Sequence, residues 1–152
     1  MSEPIAFESA TNRFKLPNLF PGQAQKEFFV NEAHAIIDCL LHLLVEAELT
    51  SPPASPAAGQ SWLVGSGATG DWAGSDGFVA LYTGSEWTFI EPAEGMRAYD
   101  AERQQSLIFT GAWIAPLDVP APSGGDVIDV EARQAIEELI SSLRSFGVFS
   151  SL

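Results

Sequence analysis

The residues of this 152-residue chain that are of types able to ligate or catalyse fall in patterns that do neither. His34, Asp38, His42 and Glu46 stand four apart. Each neighbouring pair suits a shared metal, but four-residue steps drift by about 40° around a helix of 3.6 residues per turn. The set therefore does not converge on one ion, and a single pair falls short of the three or four ligands zinc takes. The four read as a hydrated helix face with local ion pairing. Gly65-Ser-Gly67-Ala-Thr-Gly70 matches G-x-G-x-x-G after the apolar run Trp62-Leu-Val64. A dinucleotide fingerprint must lead into a helix whose N-terminus faces the pyrophosphate. Here Asp71-Trp-Ala-Gly-Ser-Asp-Gly77 follows, a poor start for any helix, and a hairpin loop is the better reading.

Nucleophile and acid–base chemistry fare no better. Both histidines fall on one predicted helix, and no serine or cysteine sits in a strained elbow. Cys39 is the only cysteine, so neither an intrachain disulfide nor a thiolate cluster forms, and it reads as a small packed residue. Asp71 with Asp76, or Glu91 with Glu94, are pairs of the kind glycosidases use, but among 20 acidic residues such pairs arise by chance. No enzyme, metal or cofactor is expected. The tryptophans say more. Trp62, Trp72, Trp87 and Trp113 all fall between residues 57 and 117, beside Tyr82 and Tyr99. They either fill a thin core or form an exposed platform on which sugar rings stack. In the second reading Trp72 and Trp87 are the glycan-binding candidates.

The elements that would position these residues separate by composition, and the expected class is α+β. Residues 1–21 form an extended arm punctuated by Pro4, Pro17 and Pro21, with Phe7, Phe14, Leu16, Leu19 and Phe20 as apolar anchors. An arm this apolar is expected to lie on its own or a neighbouring subunit. Residues 22–50 read as one long assembly helix. Phe29, Ala33, Ile36, Leu40, Leu43 and Ala47 form one stripe, and Val30, Ile37, Leu41 and Leu44 a second. Ser51-Pro-Pro-Ala-Ser-Pro56 ends it. Residues 57–117 read as a small antiparallel β-meander, with strands over 61–64, 78–83, 87–90, 107–110 and 113–115. Leu81-Tyr-Thr-Gly84-Ser-Glu-Trp87 is echoed by Ile108-Phe-Thr-Gly111-Ala-Trp113, each a strand, a glycine turn and a tryptophan entering the return strand.

A linker over 118–128 leads to a C-terminal helix over 129–147, with Asp129 placed to cap it and Gly147 to end it. Its stripe is Ala132, Ile136, Leu139, Leu143 and Phe146. Each fully buried Leu, Ile or Phe gains roughly 1.5–3 kcal/mol over its exposed state, so leaving this stripe in water costs several kcal/mol. Folding back onto the meander stays open as one solution. Burial against symmetry mates is favoured, with a three-helix seam and a homotrimer, because γ-branched and aromatic residues mix at these positions. The expected assembly is an oligomeric helical bundle whose interface is Phe29, Ile36, Leu40, Leu43, Ile136, Leu139, Leu143 and Phe146.

Charge narrows the partners. Twenty acidic against seven basic residues give −13, with no basic stripe to displace counterions from phosphates, so no nucleic acid is expected. The N-terminus lacks a signal peptide's basic start and apolar run. The most apolar stretch, Ile36 to Val45, is broken by Asp38 and His42 and is well short of the ~20 residues that span a bilayer. A soluble product made in the cytoplasm, without Sec export or membrane insertion, is expected.

The order of motifs also carries a resemblance. The segment from Phe14 to Ala33, with Leu16-Pro-Asn-Leu19, Gly22-Gln-Ala-Gln-Lys26 and Asn31-Glu-Ala33, resembles the opening of a phage-associated family, DUF2793. Pro52-Pro-Ala-Ser-Pro56, Ala68-Thr-Gly-Asp-Trp-Ala-Gly74 and Gly84-Ser-Glu-Trp87 follow in the family's order, the last with one residue more than the family's shorter turn. The likeness runs over about residues 12–115. It implies a structural component of a tailed-phage or gene-transfer-agent particle, of the head-spike, tail-fibre or host-attachment kind. Its partners would be other particle proteins (capsid, neck, tail or fibre) and host surface polysaccharide, and its location the virion, assembled in the bacterial cytoplasm. Longer members carry further domains after this one. A chain that stops soon after its second helix is expected to serve as an adaptor or spike base.

Overall fold

Past Leu40 the chain leaves helical geometry, because Leu43 and Val45 are buried while Leu44 between them is exposed, the period of two that a strand requires. The computed structural model describes residues 10–14, 16, 18, 19, 26–117, 119–125 and 129–150. Helix α1 (Lys26–Leu40) is followed by two very short strands, β1 (Leu44–Val45) and β2 (Glu48–Leu49). Then come β3 (Ser61–Val64), a single 3₁₀ turn (Gly70–Trp72), β4 (Val79–Tyr82), β5 (Trp87–Ile90), β6 (Arg97–Asp100), β7 (Gln105–Phe109), β8 (Trp113–Ile114) and helix α2 (Val130–Ser145).

The strands make two mixed sheets rather than one antiparallel meander. The first runs β1-β6-β7-β8 and the second β2-β3-β4-β5. Each opens with a short strand paired in parallel, β1 with β6 and β2 with β3, and continues antiparallel. The two sequence echoes close one hairpin in each sheet: Gly84 lies between β4 and β5, and Gly111 between β7 and β8. Between the sheets lie Leu43, Val45, Leu63, Val79, Leu81, Ala98 and Leu107, with Cys39, Ala35 and Leu40 of α1 packed against them.

Two expectations are corrected here. The helix over 22–50 is a 15-residue helix that stops at Leu40, and Leu43 of its supposed stripe is a core residue of the sandwich. The short apolar run Leu43-Leu44-Val45 satisfies helical and strand spacing alike. What decides is that β6 and β3 each need a hydrogen-bonded neighbour on that edge: Tyr99 N donates to Leu43 O at 2.8 Å and Leu63 N to Ala47 O at 3.0 Å. The second correction concerns the helical bundle. α1 packs on the sandwich and α2 buries only Ile140, so the two helices are not layers of a bundle. α2 itself is capped as expected, Ala132 N donating to the Asp129 carboxylate at 2.9 Å. Its C-terminus closes through Val148 N to Leu143 O and Gly147 N to Arg144 O, both 2.9 Å, the pattern that favours glycine in left-handed backbone.

The described part of the arm lies on its own domain. Asp38, buried in α1, accepts from Arg13 N at 2.7 Å, from Phe14 N at 2.5 Å and from the Thr11 hydroxyl. Arg13 turns its guanidinium to Cys39 O at 2.8 Å and His42 O at 2.5 Å, filling the carbonyls that the end of α1 leaves free. Asn31 holds Leu19 through both its backbone N–H, at 2.8 Å, and its carbonyl, at 3.2 Å. Asn12 sits against Gly59, where a Cβ would come within 2.6 Å of the Asn12 Cβ. Residues 1–9 and 20–25, which carry Phe7, Phe20 and most of the Gly22–Lys26 motif, lie outside the described residues.

Burial by itself raises the Asp38 carboxyl, but the hydrogen bonds from Thr11, Arg13 and Phe14 and the Arg13 charge outweigh it and hold the group below the usual carboxylate range. A depressed folded value stabilises above the unfolded one and is lost as pH falls through the folded value. Amide protection of Arg13 and Phe14 in hydrogen exchange should thus be lost on acidification below about pH 4, before protection of β3 and β4 is lost. Asp38→Ala strands two amide donors and should cost about 2–4 kcal/mol in urea unfolding.

Candidate functional site

The second sheet is apolar on both faces. Leu63, Val79, Leu81 and Ile90 point toward the first sheet, and Trp62, Val64, Ala80, Tyr82, Trp87 and Phe89 point away from it. The outer set is roofed by the connection 65–78. Gly65 N donates to Leu49 O at 2.7 Å and Thr69 N to Thr50 O at 2.8 Å, which brings the 3₁₀ turn over the sheet. The Asp76 carboxylate ties the loop by accepting from Gly67 N at 2.7 Å and Ala68 N at 3.0 Å, and these amides hold its carboxyl below the usual range. The G-x-G-x-x-G sequence is thus a closed loop leading into a three-residue turn.

Trp72 is the centre of that roof and is 0% exposed. Its ring stands perpendicular to Trp87 at 5.1 Å and tilted against Trp62 at 6.5 Å. A sugar has no access to it, so of the two glycan candidates Trp72 belongs to the core. Trp87 is half-buried, its ring 5.0 Å from that of Tyr82. Together they floor an open groove of about 550 Å³, walled by Pro52, Pro53 and Pro56 and rimmed by the carboxylates of Asp71 and Glu86. The Tyr82 hydroxyl donates to Gly84 O at 3.0 Å, which fixes the ring. Aromatic faces beside carboxylates suit a ligand with apolar C–H faces and hydroxyl donors. The sequence pointed to Trp87. The hairpin register sets Tyr82 opposite Trp87, whereas Pro52, Pro53, Pro56 and Asp71 reach the groove from connections distant in the chain.

A second groove, of about 430 Å³, opens between the sheets at one end, over Leu63, Phe78, Phe109 and Trp113. Trp113 Nε1 donates across it to Gly77 O at 2.9 Å. Of its carboxylates, Asp76 holds the loop and Glu48 is paired with Arg103 at 2.9 Å, leaving Glu91 at the rim. Among the described residues no histidine, cysteine or lysine lines it.

The other candidates are scattered. The series His34, Asp38, His42 and Glu46 is broken by the end of α1. Asp38 holds the arm, His42 lies 5.7 Å from the Phe14 ring, and Glu46 accepts from Gln60 at 3.2 Å. Among the described residues no cluster of three metal-ligating side chains forms. Burial pushes the Cys39 thiol up, despite a hydrogen bond with Ser61. No described helix is long and apolar enough to cross a membrane. The expected interface residues divide. Leu43 is core, Ile36, Leu40 and Leu143 are half-buried, and Phe29 is 71% exposed. On α2, Ile136, Leu139 and Phe146 are 42%, 59% and 80% exposed.

Residues 30–114 match a family described as protein of unknown function, DUF2793. No curated protein matches the chain.

The two tryptophans should separate in stability. Trp72→Ala should cost about 3–5 kcal/mol in denaturant unfolding, as for a fully buried ring. Trp87→Ala, which removes a half-exposed one, should cost about 1–2 kcal/mol.

Proposed function

The chain belongs to the DUF2793 family, and we propose that it is a non-enzymatic structural component of a tailed-phage or gene-transfer-agent particle, an adaptor or spike base that serves host attachment. It works as a homo-oligomer, with three copies as the expected number, assembled in the bacterial cytoplasm and carried in the virion beside other particle proteins. The particle role rests on the sequence resemblance, in which Gly22–Lys26 and Asn31–Ala33 are the distinctive segments. The oligomer rests on one observation. Ile136, Leu139 and Phe146 line one side of α2 and face water in the single chain. Three large apolar side chains in a row cost several kcal/mol when left wet, and a neighbouring copy removes that cost.

A second reading, a carbohydrate-binding module for cell-surface polysaccharide, is favoured by the Trp87–Tyr82 groove with its two carboxylates. The readings divide in the laboratory. Leu139→Asp with Leu143→Asp should convert an oligomer to a monomer by light scattering, and an unchanged mass would count against the assembly. On a glycan array the carbohydrate module should bind a polysaccharide and lose it with Trp87→Ala, whereas a purely structural protein binds nothing. Imaging of intact particles labelled on this chain should place it at a particle surface.

A further inference from the structure

The groove floored by Tyr82 and Trp87 carries a negative charge that nothing among the described residues answers. The two ring planes are inclined at 51° with centroids 5.0 Å apart, so their surfaces meet at an angle rather than in a stack. Phe89, two residues past Trp87 on β5 and therefore on the same face, extends that floor. Asp71 and Glu86 stand at the rim, each one residue before a tryptophan of the cluster. Asp71 precedes Trp72, whose ring lies 5.1 Å from that of Trp87, and Glu86 precedes Trp87 itself. Both acids are exposed. Asp76, on the same connection as Asp71, has its carboxylate taken up by the Gly67 and Ala68 amides. The Asp71 and Glu86 carboxylates accept no hydrogen bond and form no ion pair among the described residues, where both ion pairs belong to Arg103. No described lysine, arginine or histidine lines the groove.

Aromatic faces and unpaired carboxylates make separate demands on a ligand, and few chemistries meet both. Calcium takes about six to eight oxygens, more than two carboxylates supply. An acidic polysaccharide is repelled by the rim and by the net charge of −13 alike. A neutral sugar stacks on the rings but leaves the carboxylates uncompensated. A protonated amino sugar satisfies both. Its C–H face lies on the Trp87 ring, while its ammonium, with three donors, is attracted by the aromatic faces and pairs with a carboxylate. We propose that the Trp87–Tyr82 groove recognises a glycan with free amino groups, built of hexosamine units whose nitrogens are not acylated, with Asp71 and Glu86 as the residues that select the amine. This deepens the carbohydrate-binding reading above and rests on it.

Calorimetry at about pH 6, where amines are protonated and carboxylates ionised, tests this with a glucosamine hexamer and its fully N-acetylated counterpart. The full chain should bind the free-amine hexamer about tenfold more tightly. Asp71→Asn with Glu86→Gln, two near-isosteric changes at exposed positions, should remove that preference. Glu94→Gln with Glu137→Gln takes the same charge from exposed positions outside the groove and should leave the preference intact. An equal loss in this second pair makes the attraction diffuse and overturns the site. Equal affinity of wild type for the two hexamers overturns the amine and leaves the carbohydrate module standing, as does binding of other glycans on an array but of neither hexamer. A chain that binds no glycan overturns both. A lysine hexamer that binds as tightly as the glucosamine one overturns the sugar in favour of a basic peptide. Circular dichroism checks the fold of both double variants, and the comparison of hexamers on wild type decides the matter without them.

Discussion

The segment Leu43–Thr50 hydrogen-bonds to both sheets, and the rest of the fold is hung on it. On one side Tyr99 N and Ala101 N donate to the carbonyls of Leu43 and Val45; on the other Leu63 N and Gly65 N donate to those of Ala47 and Leu49. Between them Glu46 N donates to Ser61 O. One short stretch of chain thus supplies an edge strand to each sheet and carries the chain from one layer to the other. Leu43 and Val45 reach into the core from it. Arg103 strengthens the same junction, pairing with Glu48 of β2 at 2.9 Å and with the buried Asp100 of β6 at 3.3 Å, so the two sheets share a cation. Without partners on this edge, buried carbonyls and amides of β3 and β6 would lose their hydrogen bonds, each a penalty of about 1–3 kcal/mol.

From that junction two sheets of similar plan diverge through the length of a single connection. The long one folds back, plants Trp72 and completes a second apolar layer inside the chain. The short one leaves the first sheet's outer row of Leu44, Tyr99 and Arg97 in water. α2 is likewise only partly covered: Ile140 anchors it and Leu143 is half-buried, while Ile136 and Leu139 on the adjoining flank are exposed. Two apolar surfaces are thus exposed in the single chain, the outer row of the first sheet and the Ile136–Leu139 side of α2. A net charge of −13 repels copies of the chain at a distance, so whatever covers these surfaces has to be held by close apolar contact.

The hairpin turns at Gly84 and Gly111 and the capped helix from Asp129 to Gly147 were legible in the residues, because each depends on neighbours within a few positions. The anchoring of the arm was legible in outline from its apolar residues, but not the means, since Asp38 receives Arg13 and Phe14 across more than twenty residues. Leu43 and Leu44 fitted a helical stripe as well as a strand. Arg97-Ala-Tyr-Asp100, with one aliphatic side chain, carried no strand signal, and it is a strand because β1 and β7 flank it.

The sequence by itself therefore determined the local grammar: turns, caps, the C-terminal helix with its apolar stripe, and a net charge of −13. Tertiary structure alone decided that the helix stops at Leu40 and that Leu44–Val45 and Glu48–Leu49 are strands, that Trp72 is core while Trp87 reaches the surface, and that one sheet is roofed and the other is not. The reason is the same in each case. Those outcomes are set by hydrogen bonds and burial between segments distant in the chain, and local periodicity has no knowledge of which edge or face another segment will fill.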